Sequence, residues 1–158
     1  MGHDHTCWYD GHKRDYTFGF LCAVDCEGIC RIAHGHQPGS VDDVTSWLNS
    51  GFHSNMPNYL LAGDKVLGDG IFARIGAPFV VPVNRVTGIP QTQIEERYNI
   101  LHFWARSIVE NYFGRLKLLC PILQYYTFSL VDNINLNVGS CFILTNISIE
   151  FDHPLRRI

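Results

Sequence analysis

The amino-acid sequence predicts an α/β fold, and three observations support this. The chain is 46% hydrophobic and 17% charged, so it has enough apolar residues to form a core. Its segments follow the order strand, strand, helix, strand, helix, which is typical of an α/β protein. Its 158 residues fit one domain and leave little room for a second. We therefore expect residues 1–158 to form a single α/β domain.

Charge and apolar patterning exclude several classes of protein. The formal net charge is −3 and the pI is about 6.2, so the chain has no general attraction to polyphosphate. A role with DNA would need a local basic patch or a partner that supplies one. No run approaches the roughly eighteen apolar residues of a membrane span, and the N-terminus "MGHDHTCWYDGHKRDY" has no apolar signal segment. We expect a soluble, intracellular protein with no membrane contact.

The first apolar segment, residues 16–25, has apolar residues at both odd and even positions. This pattern is typical of a strand that is buried on both faces. The stretch "CEGICRIAHG" follows, and its Cys26, Glu27 and Gly28 form a turn signal before a second apolar run. The two segments are predicted to form a β-hairpin.

The next segment, "PGSVDDVTSWLNSG", is predicted to be a short helix. Ser40 is the expected N-cap, with Asp43 three residues later as in a capping box, and Gly51 lies past the expected C-terminus. Val44, Trp47 and Leu48 share one face. Asp42 and Asp43 have a sufficient structural explanation in this helix N-terminus, where the helix dipole favours anions.

Two further segments lead to a long helix. Residues 64–73 are a compact apolar run, interrupted by Gly68, Asp69 and Gly70, and residues 74–93 contain three prolines and are predicted to be mostly loop. The helix is expected to start near Ile94. Its apolar stripe comprises Ile94, Tyr98, Leu101, Ala105, Ile108, Tyr112 and Leu116, and Phe103 and Phe113 form a second stripe. A helix with two apolar stripes should be covered on more than one side.

The last third of the chain, residues 129–150, has the β-branched and Asn content of a strand but a helical period of apolar residues. We predict a helix, because Val131, Ile134 and Val138 keep that period and Thr145 continues it.

Two acidic residues are not required by the core. Glu110 lies in the long helix with Arg106 four residues before it and Lys117 seven residues after it, so the three share one edge. The simplest interpretation is a solvated glutamate paired with Arg106, a contact worth about 0.3–0.5 kcal/mol. Asp69, between two glycines, is on pattern alone most typical of a turn. Neither residue identifies a functional site by itself.

The eight histidines and six cysteines suggest zinc, but their spacing does not. Structural zinc sites use paired ligands in two separate clusters, and His3, His5, Cys7 and His12 do not form such a set. We expect no structural zinc. Since no CxxC spacing occurs, the cysteines are expected to be small buried hydrophobic residues and not disulfides. Motifs of serine hydrolases, P-loop proteins and zincins are also absent from the sequence.

Five motifs follow one another between about Tyr9 and Pro154. They read "AVDCEGICRIAHGHQPGSVDD", "KVLGDGIF", "PF", "YNILHFWARSIVENYFGRLKLL" and "ILTNISI". In this order and spacing the chain resembles the nuclease domain of Harbinger-type transposases. These are DDE superfamily endonucleases, and they include domesticated transposase-derived nucleases of animals.

The matching positions are specific. The family's Pro-Gly-Ser-x-x-Asp helix start corresponds to Pro38, Gly39, Ser40 and Asp43, and its Leu-Gly-Asp strand ends at Asp69. The family's third motif runs from an Asn through Arg-x-x-x-Glu to Phe-Gly-x-x-Lys. Here it comprises Asn99, Arg106, Glu110, Phe113, Gly114 and Lys117. The C-terminal Leu-His-Asn element appears as Leu144, Thr145 and Asn146.

The resemblance implies a ribonuclease H-like fold, a mixed sheet of five strands flanked by helices. It implies a divalent-metal-dependent DNA endonuclease or transposase in which Asp69 and Glu110 are catalytic carboxylates that bind Mg²⁺ or Mn²⁺. Arg106 and Lys117 would orient Glu110 or meet phosphate, and Asn99 is a further supporting residue. The implied partner is DNA, and the implied location is nuclear or cytoplasmic.

One departure from the family leaves two functions open. The family's first catalytic Asp lies on a strand before a Tyr-x-Gly-x-Lys segment, matched here by Tyr9, Gly11 and Lys13, and only eight residues stand before Tyr9. We therefore expect the first strand and first carboxylate to be missing, and the chain to be a truncated and inactive nuclease. The alternative is a nuclease-like interaction module, without catalysis, that binds a DNA-binding partner protein.

Overall fold

The computed structural model describes residues 9–10, 15–124 and 134–152. They form a mixed α/β structure with two compact units, one from Met1–Val41 together with Val109–Ile158, the other from Asp42–Ile108. The strands are β1 Tyr9–Asp10, β2 Asp15–Tyr16, β3 Phe18–Val24, β4 Cys30–Pro38, β5 Val66–Leu67 and β6 Phe79–Val80. The α-helices are α1 Asp43–Leu48, α2 Gly51–Ser54, α3 Gln93–Leu119 and α4 Ile134–Asp152. Short 3₁₀ helices span Met56–Asn58, Gly70–Arg74 and Pro121–Gln124.

The predicted hairpin is confirmed in the first unit. Strands β3 and β4 pair antiparallel from Phe18 opposite Pro38 to Val24 opposite Cys30. Burial on both faces is wrong, however, because every residue of β3 is half-buried. Only alternate residues of β3, namely Phe18, Phe20, Cys22 and Val24, pack against the core, so one face of the strand carries the contacts.

The core of the first unit lies between this hairpin, the C-terminal part of α3 and helix α4. Its buried members are Ile29, Cys30, Tyr112, Leu116, Cys120, Val138, Cys141, Phe142 and Ile149. The predicted helical state of the last third is confirmed for Ile134–Asp152, and residues 129–133 lie outside the described part. Helix α4 also fixes the start of β4, because the Cys30 N–H donates to Asn146 Oδ1 at 3.0 Å and Asn146 Nδ2 donates to the Cys30 carbonyl at 2.8 Å.

The described cysteines differ in burial, and Cys22 is half-buried. Cys30, Cys120 and Cys141 are buried with free thiols, as small apolar residues would be. Burial, followed by the neighbouring Cys120, raises the pKa of Cys141 to about 11. Cys26 is exposed, so the expectation of burial is wrong for this residue, which lies in the hairpin turn where no core exists to receive it. Cys7 lies outside the described residues.

The first helix of the second unit begins two residues later than the capping pattern indicated. Its N-cap is Asp42, whose Oδ1 accepts the Thr45 N–H at 3.0 Å, so the predicted cap at Ser40 is wrong. Asp42 takes this position because an Asp is at least as good an N-cap as a Ser, and Asp42 is nearer to the apolar face of the helix. Gly51 starts α2, which Ser50 caps, and does not lie beyond a helix end.

An aromatic cluster forms the core of the second unit. Trp47 meets Phe52 and Phe79 edge-on at centroid distances of 4.9 and 4.7 Å, and Phe79 stacks on Phe72 at 4.5 Å. The strand predicted within residues 64–73 is shorter than expected. Only Val66–Leu67 is strand, paired parallel with Phe79–Val80, because the chain then turns into the 3₁₀ helix Gly70–Arg74.

The long helix α3 is confirmed, and it begins at Gln93 because of a reciprocal cap. Glu95 Oε2 accepts the Thr92 N–H at 2.7 Å, and Thr92 Oγ1 accepts the Glu95 N–H at 3.2 Å. Cover on more than one side is wrong for its N-terminal part. Ile94 is 82% exposed and Phe103 is 63% exposed. None of the helices in the described ranges is both long enough and apolar enough to cross a membrane.

Candidate functional site

Asp69 is the N-cap of the 3₁₀ helix Gly70–Arg74. Its Oδ1 accepts the Ile71 N–H at 3.0 Å, and its side chain is half-buried. In the described part of the chain no hydrogen-bond donor reaches its second oxygen, Oδ2. The turn interpretation of Asp69 is therefore confirmed, and one carboxylate oxygen remains available to a ligand.

Close packing fixes the position of Asp69. A Cβ on Gly68 would lie 2.9 Å from the Phe79 ring and 3.0 Å from the Phe72 ring, so this position excludes any larger residue. The Gly68 N–H donates to the Val80 carbonyl at 3.0 Å and extends the short β5–β6 pairing up to Asp69. The Leu-Gly-Asp sequence thus places a carboxylate directly after a strand that is anchored on the aromatic cluster.

Glu110 lies on the exposed surface of α3. The expected ion pair with Arg106 is wrong, because the structure has no contact within 4 Å between these two charged groups among its described residues. A surface pair four residues apart in a helix gains little energy, and holding two long side chains together costs conformational entropy. Glu110 therefore presents its carboxylate without an Arg106 partner. Arg106 is half-buried and Lys117 is exposed on the same helix.

Asn99 performs a positioning role within the second unit. Its Oδ1 accepts the Val83 N–H at 2.8 Å and its Nδ2 donates to the Val83 carbonyl at 2.9 Å. Two other residues of α3 contact the backbone just before Val83. The Tyr98 hydroxyl donates a hydrogen bond to the Val81 carbonyl at 2.8 Å, and His102 Nε2 lies 3.1 Å from the Val80 carbonyl. A carbonyl can only accept, so Nε2 carries the ring hydrogen. One face of α3 thus binds the backbone from the end of β6 to Val83.

Comparison with known protein families decides the class. The sequence profile of one family, described as DDE superfamily endonuclease, matches residues 2–146 of the 158. The chain belongs to the DDE superfamily endonucleases. No curated protein and no solved structure gives a significant match. The matched range of this DDE endonuclease chain includes Asp69, Asn99, Glu110 and Asn146.

Family membership gives the general chemistry. DDE superfamily endonucleases generally use divalent metals, and a nuclease domain of this superfamily would bind DNA. Across residues 9–10, 15–124 and 134–152, no group of three His, Cys, Asp or Glu side chains is arranged to hold a metal ion. The ligand roles of Asp69 and Glu110 stay predictions. His3, His5, Cys7 and His12, for which no zinc was expected, lie outside the described residues.

Asp25 could be considered as a further carboxylate of the endonuclease, but both of its oxygens are engaged. Oδ1 accepts the N–H groups of Glu27 and Ile29, each at 2.9 Å, and Oδ2 accepts Arg31 Nε at 2.6 Å. Burial raises the pKa of Asp25. The hydrogen bonds from Ile29, Arg31 and Glu27 lower it by more than burial raises it, so the pKa lies below its ordinary value. Asp25 therefore stabilises the hairpin turn as an anion.

Sequence reasoning missed the contact between Asn146 and Cys30. The C-terminal motif Leu144, Thr145 and Asn146 predicts no role for the Asn146 amide. One signal could have indicated a role, because Asn146 is polar in the apolar run "CFILTNISI". A polar side chain in such a run usually has a hydrogen-bond partner.

Proposed function

We propose that this chain is the nuclease domain of a Harbinger-type transposase, a divalent-metal-dependent DNA endonuclease. Family membership over residues 2–146 supports the class. The order and spacing of the motifs around Pro38, Asp69, Glu110 and Asn146 support the Harbinger subtype. In this proposal both compact units belong to one domain, residues 1–158, with a ribonuclease H-like sheet, and the protein acts in the nucleus, where its DNA is.

In the proposed site, Asp69 and Glu110 bind Mg²⁺ or Mn²⁺. Their chemistry fits, because both metals prefer hard oxygen ligands. Their environment also supports the assignment: Oδ2 of Asp69 meets no donor from the described residues, and Glu110 is exposed and not paired with Arg106. When bound, a pair of divalent ions activates the attacking water and stabilises the leaving oxygen of the phosphodiester.

The supporting residues act on the substrate and on the local backbone. Arg106 and Lys117 lie on α3 with Glu110, and as cations they would bind the DNA phosphates on either side of it along the helix. Asn99 would hold the backbone at Val83 in place through its two hydrogen bonds. A DNA-binding role thus rests on local cations, because the net charge of the chain is −3.

The observation that carries the proposal is the family match, which includes both carboxylates in their expected motifs. It also sets an expectation for activity. The resemblance implies three catalytic carboxylates, and the matched motifs supply two of them, Asp69 and Glu110. Among the described residues, Asp25 does not supply the third, because it is engaged in a turn. We propose that the chain alone does not cleave DNA above background, because a site with one carboxylate fewer binds the second divalent ion weakly.

Metal binding tests the site independently of activity. Free Mn²⁺ would be measured by its electron paramagnetic resonance signal during titration of the wild-type chain and of the variants Asp69→Asn and Glu110→Gln. Each substitution removes one anionic ligand, and we expect each to weaken Mn²⁺ binding by about tenfold or more. Asp69→Asn keeps an amide oxygen that can accept the Ile71 N–H, so the local fold is retained.

Two exposed carboxylates provide matched controls. Asp64→Asn and Glu96→Gln cause the same charge changes at exposed positions outside the proposed site, and Mn²⁺ binding should be unchanged in both. Equal Mn²⁺ binding in all five proteins would disprove the ligand assignment.

That result would favour the second candidate function, the interaction module that binds a DNA-binding partner protein. A plasmid-nicking assay with Mg²⁺ or Mn²⁺ completes the test. Nicking that disappears in Glu110→Gln would support the ligand assignment but contradict the proposed inactivity.

A further inference from the structure

Helix α4 has an exposed apolar stripe on the side opposite to its core contacts. Its buried residues are Val138, Cys141, Phe142, Thr145 and Ile149. The stripe consists of Leu136, Ile143, Leu144, Ile147 and Phe151, which are between 43% and 73% exposed. Ser140 lies on the same side of the helix, since the spacing from Leu136 through Ser140 to Ile147 follows the helical repeat. Helix α4 is thus apolar on two sides.

The charge pattern of α4 restricts what can cover this stripe. From Ile134 to Ile149 the helix contains no Asp, Glu, Lys or Arg, and the first charged residue is Glu150. A helix that is apolar all round is typical of a buried helix. DNA is unsuitable as the covering partner, because binding phosphates requires cations that this stripe does not have.

We propose that the stripe binds a second copy of this chain, with the two α4 helices antiparallel and a two-fold axis between Ile143 and Leu144. This arrangement places Ile143 of one copy opposite Leu144 of the other, Leu136 opposite Phe151, and Ser140 opposite Ile147. A two-fold interface uses the same surface on both copies, so it requires such self-complementarity. At the ends of the interface the large side chains of Leu136 and Phe151 pack against each other. The small side chain of Ser140 leaves room for the β-branched Ile147.

Ser140 can be buried in this interface at little cost. Its Oγ donates to the Leu136 carbonyl at 2.8 Å, so the hydroxyl is already satisfied within the helix. A polar group that keeps a hydrogen bond does not incur the desolvation penalty of an unpaired one.

The acidic residues at one end of α4 select the antiparallel direction. Glu150 and Asp152 both lie in the last turn, and Asp152 forms an ion pair with Arg115 of the same chain. A parallel pair would bring the acidic ends of the two copies together, and like charges repel. An antiparallel pair places these ends at opposite ends of the interface.

The exposed area is sufficient for a specific interface. An aromatic side chain such as Phe151 has about 150–250 Å² of surface, and the Leu and Ile side chains lie near the lower end of this range. The exposed fractions of the five stripe residues therefore correspond to at most roughly 600 Å² per copy. Two copies would bury up to about 1,200 Å², which is at the lower end of the range for stable, specific protein interfaces. We therefore expect a dimer that dissociates on dilution.

Sedimentation velocity across a wide concentration range tests the association. The wild-type chain should change from monomer to dimer as its concentration rises. Ile143→Arg places a charge beside the axis and should weaken dimerisation by about tenfold or more. The matched control is Leu61→Arg, because Leu61 is 80% exposed in the other compact unit and its substitution should leave the dimer unchanged. A wild-type chain that stays monomeric at every concentration would overturn the proposal, whether another protein or another segment of this chain covers the stripe.

Directed disulfide formation tests the direction of the helices and does not depend on the folding of the Arg variant. Ser140→Cys and Ile147→Cys would each be made in a background with Cys7 and Cys26 replaced by Ser. Under mild oxidation, a mixture of the two should yield a linked dimer that neither variant yields alone. Linked dimers from Ser140→Cys alone would overturn the antiparallel arrangement, and absence of any linked dimer would overturn the interface.

Discussion

The side-chain amide of Asn146 forms two hydrogen bonds to the backbone of Cys30, one accepted at 3.0 Å and one donated at 2.8 Å. The amide thus pairs with the first residue of β4 as a neighbouring strand would, from a helix 116 positions later in the chain. Because Cys30 is buried, water cannot easily replace these bonds. The start of the hairpin's second strand therefore depends on one side chain of α4.

Replacing Asn146 with Leu should destabilise the protein by about 2–4 kcal/mol, because it leaves a buried N–H and a buried carbonyl without partners. Urea unfolding followed by circular dichroism measures this loss. Asn111→Ala is the control, since Asn111 is exposed and its replacement should change the free energy of unfolding by less than about 0.5 kcal/mol. Equal unfolding midpoints for the two variants would contradict the proposed role of the amide.

Asp25 should make the stability of the protein depend on pH in the acid range. Its pKa in the folded state is lowered by the turn hydrogen bonds and Arg31, while an unfolded Asp titrates near pH 3.9. Its contribution is therefore fully present above about pH 4 and is lost as the pH falls through the lowered folded pKa. Asp25→Asn should lower stability by about 1–2 kcal/mol at neutral pH and flatten the acid dependence.

Thermal unfolding of wild type and Asp25→Asn between neutral and acid pH measures this effect. Glu96→Gln serves as the control, because it removes one exposed carboxylate of helix α3 and leaves the hairpin turn intact. Coinciding curves for wild type and Asp25→Asn would show that the turn carboxylate does not contribute, and parallel but displaced curves would contradict its effect on the acid dependence.

Gly114 lies inside α3, and a Cβ at this position would meet nothing within 4 Å. Gly114→Ala should therefore stabilise the protein by about 0.5–1 kcal/mol, since alanine restricts the unfolded chain more and favours the helix. Thermal unfolding provides the measurement, and DNA binding by the same variant is informative. A variant that is more stable but binds DNA more weakly would indicate that the backbone at Gly114 contacts the nucleic acid. A lower melting temperature for Gly114→Ala would contradict the finding that a Cβ at this position meets no neighbouring atom.

A chelator should leave the melting temperature nearly unchanged. The spacing of the histidines and cysteines predicts no structural zinc, and a structural zinc ion would contribute a large share of the folding free energy. Thermal unfolding of the purified chain with and without EDTA measures the difference. A decrease of tens of degrees would show that the N-terminal histidines bind zinc.

Much of the secondary structure was predictable from the sequence, because it depends on local patterns. The hairpin and the two long helices have clear apolar periods, and Thr92 and Glu95 cap α3 within four residues of sequence. The short strands β5 and β6 were not predictable in the same way. Val66 pairs with Phe79 across the 3₁₀ helix, and this pairing depends on packing of Phe72 and Phe79 that no periodicity indicates.

The candidate site was predictable only through resemblance. Asp69 and Glu110 look like a turn residue and a surface residue by pattern, and the structure places each accordingly, as a 3₁₀ N-cap and as an exposed helix residue. The double hydrogen bonds of Asn99 to Val83, 16 residues away, could not be derived from sequence spacing. Such contacts depend on which backbone groups the tertiary fold leaves without partners.

The arrangement of the two units in sequence has a consequence for protein synthesis. The second unit is one continuous stretch, Asp42–Ile108, whereas the first combines Met1–Val41 with Val109–Ile158. The ribosome therefore makes the whole second unit between Cys30 and its partner Asn146. At about 5–20 residues per second, the hairpin waits roughly 5–25 seconds for that partner. During this interval its apolar face is open, and we expect the nascent hairpin to be the segment on which a chaperone has the longest time to act.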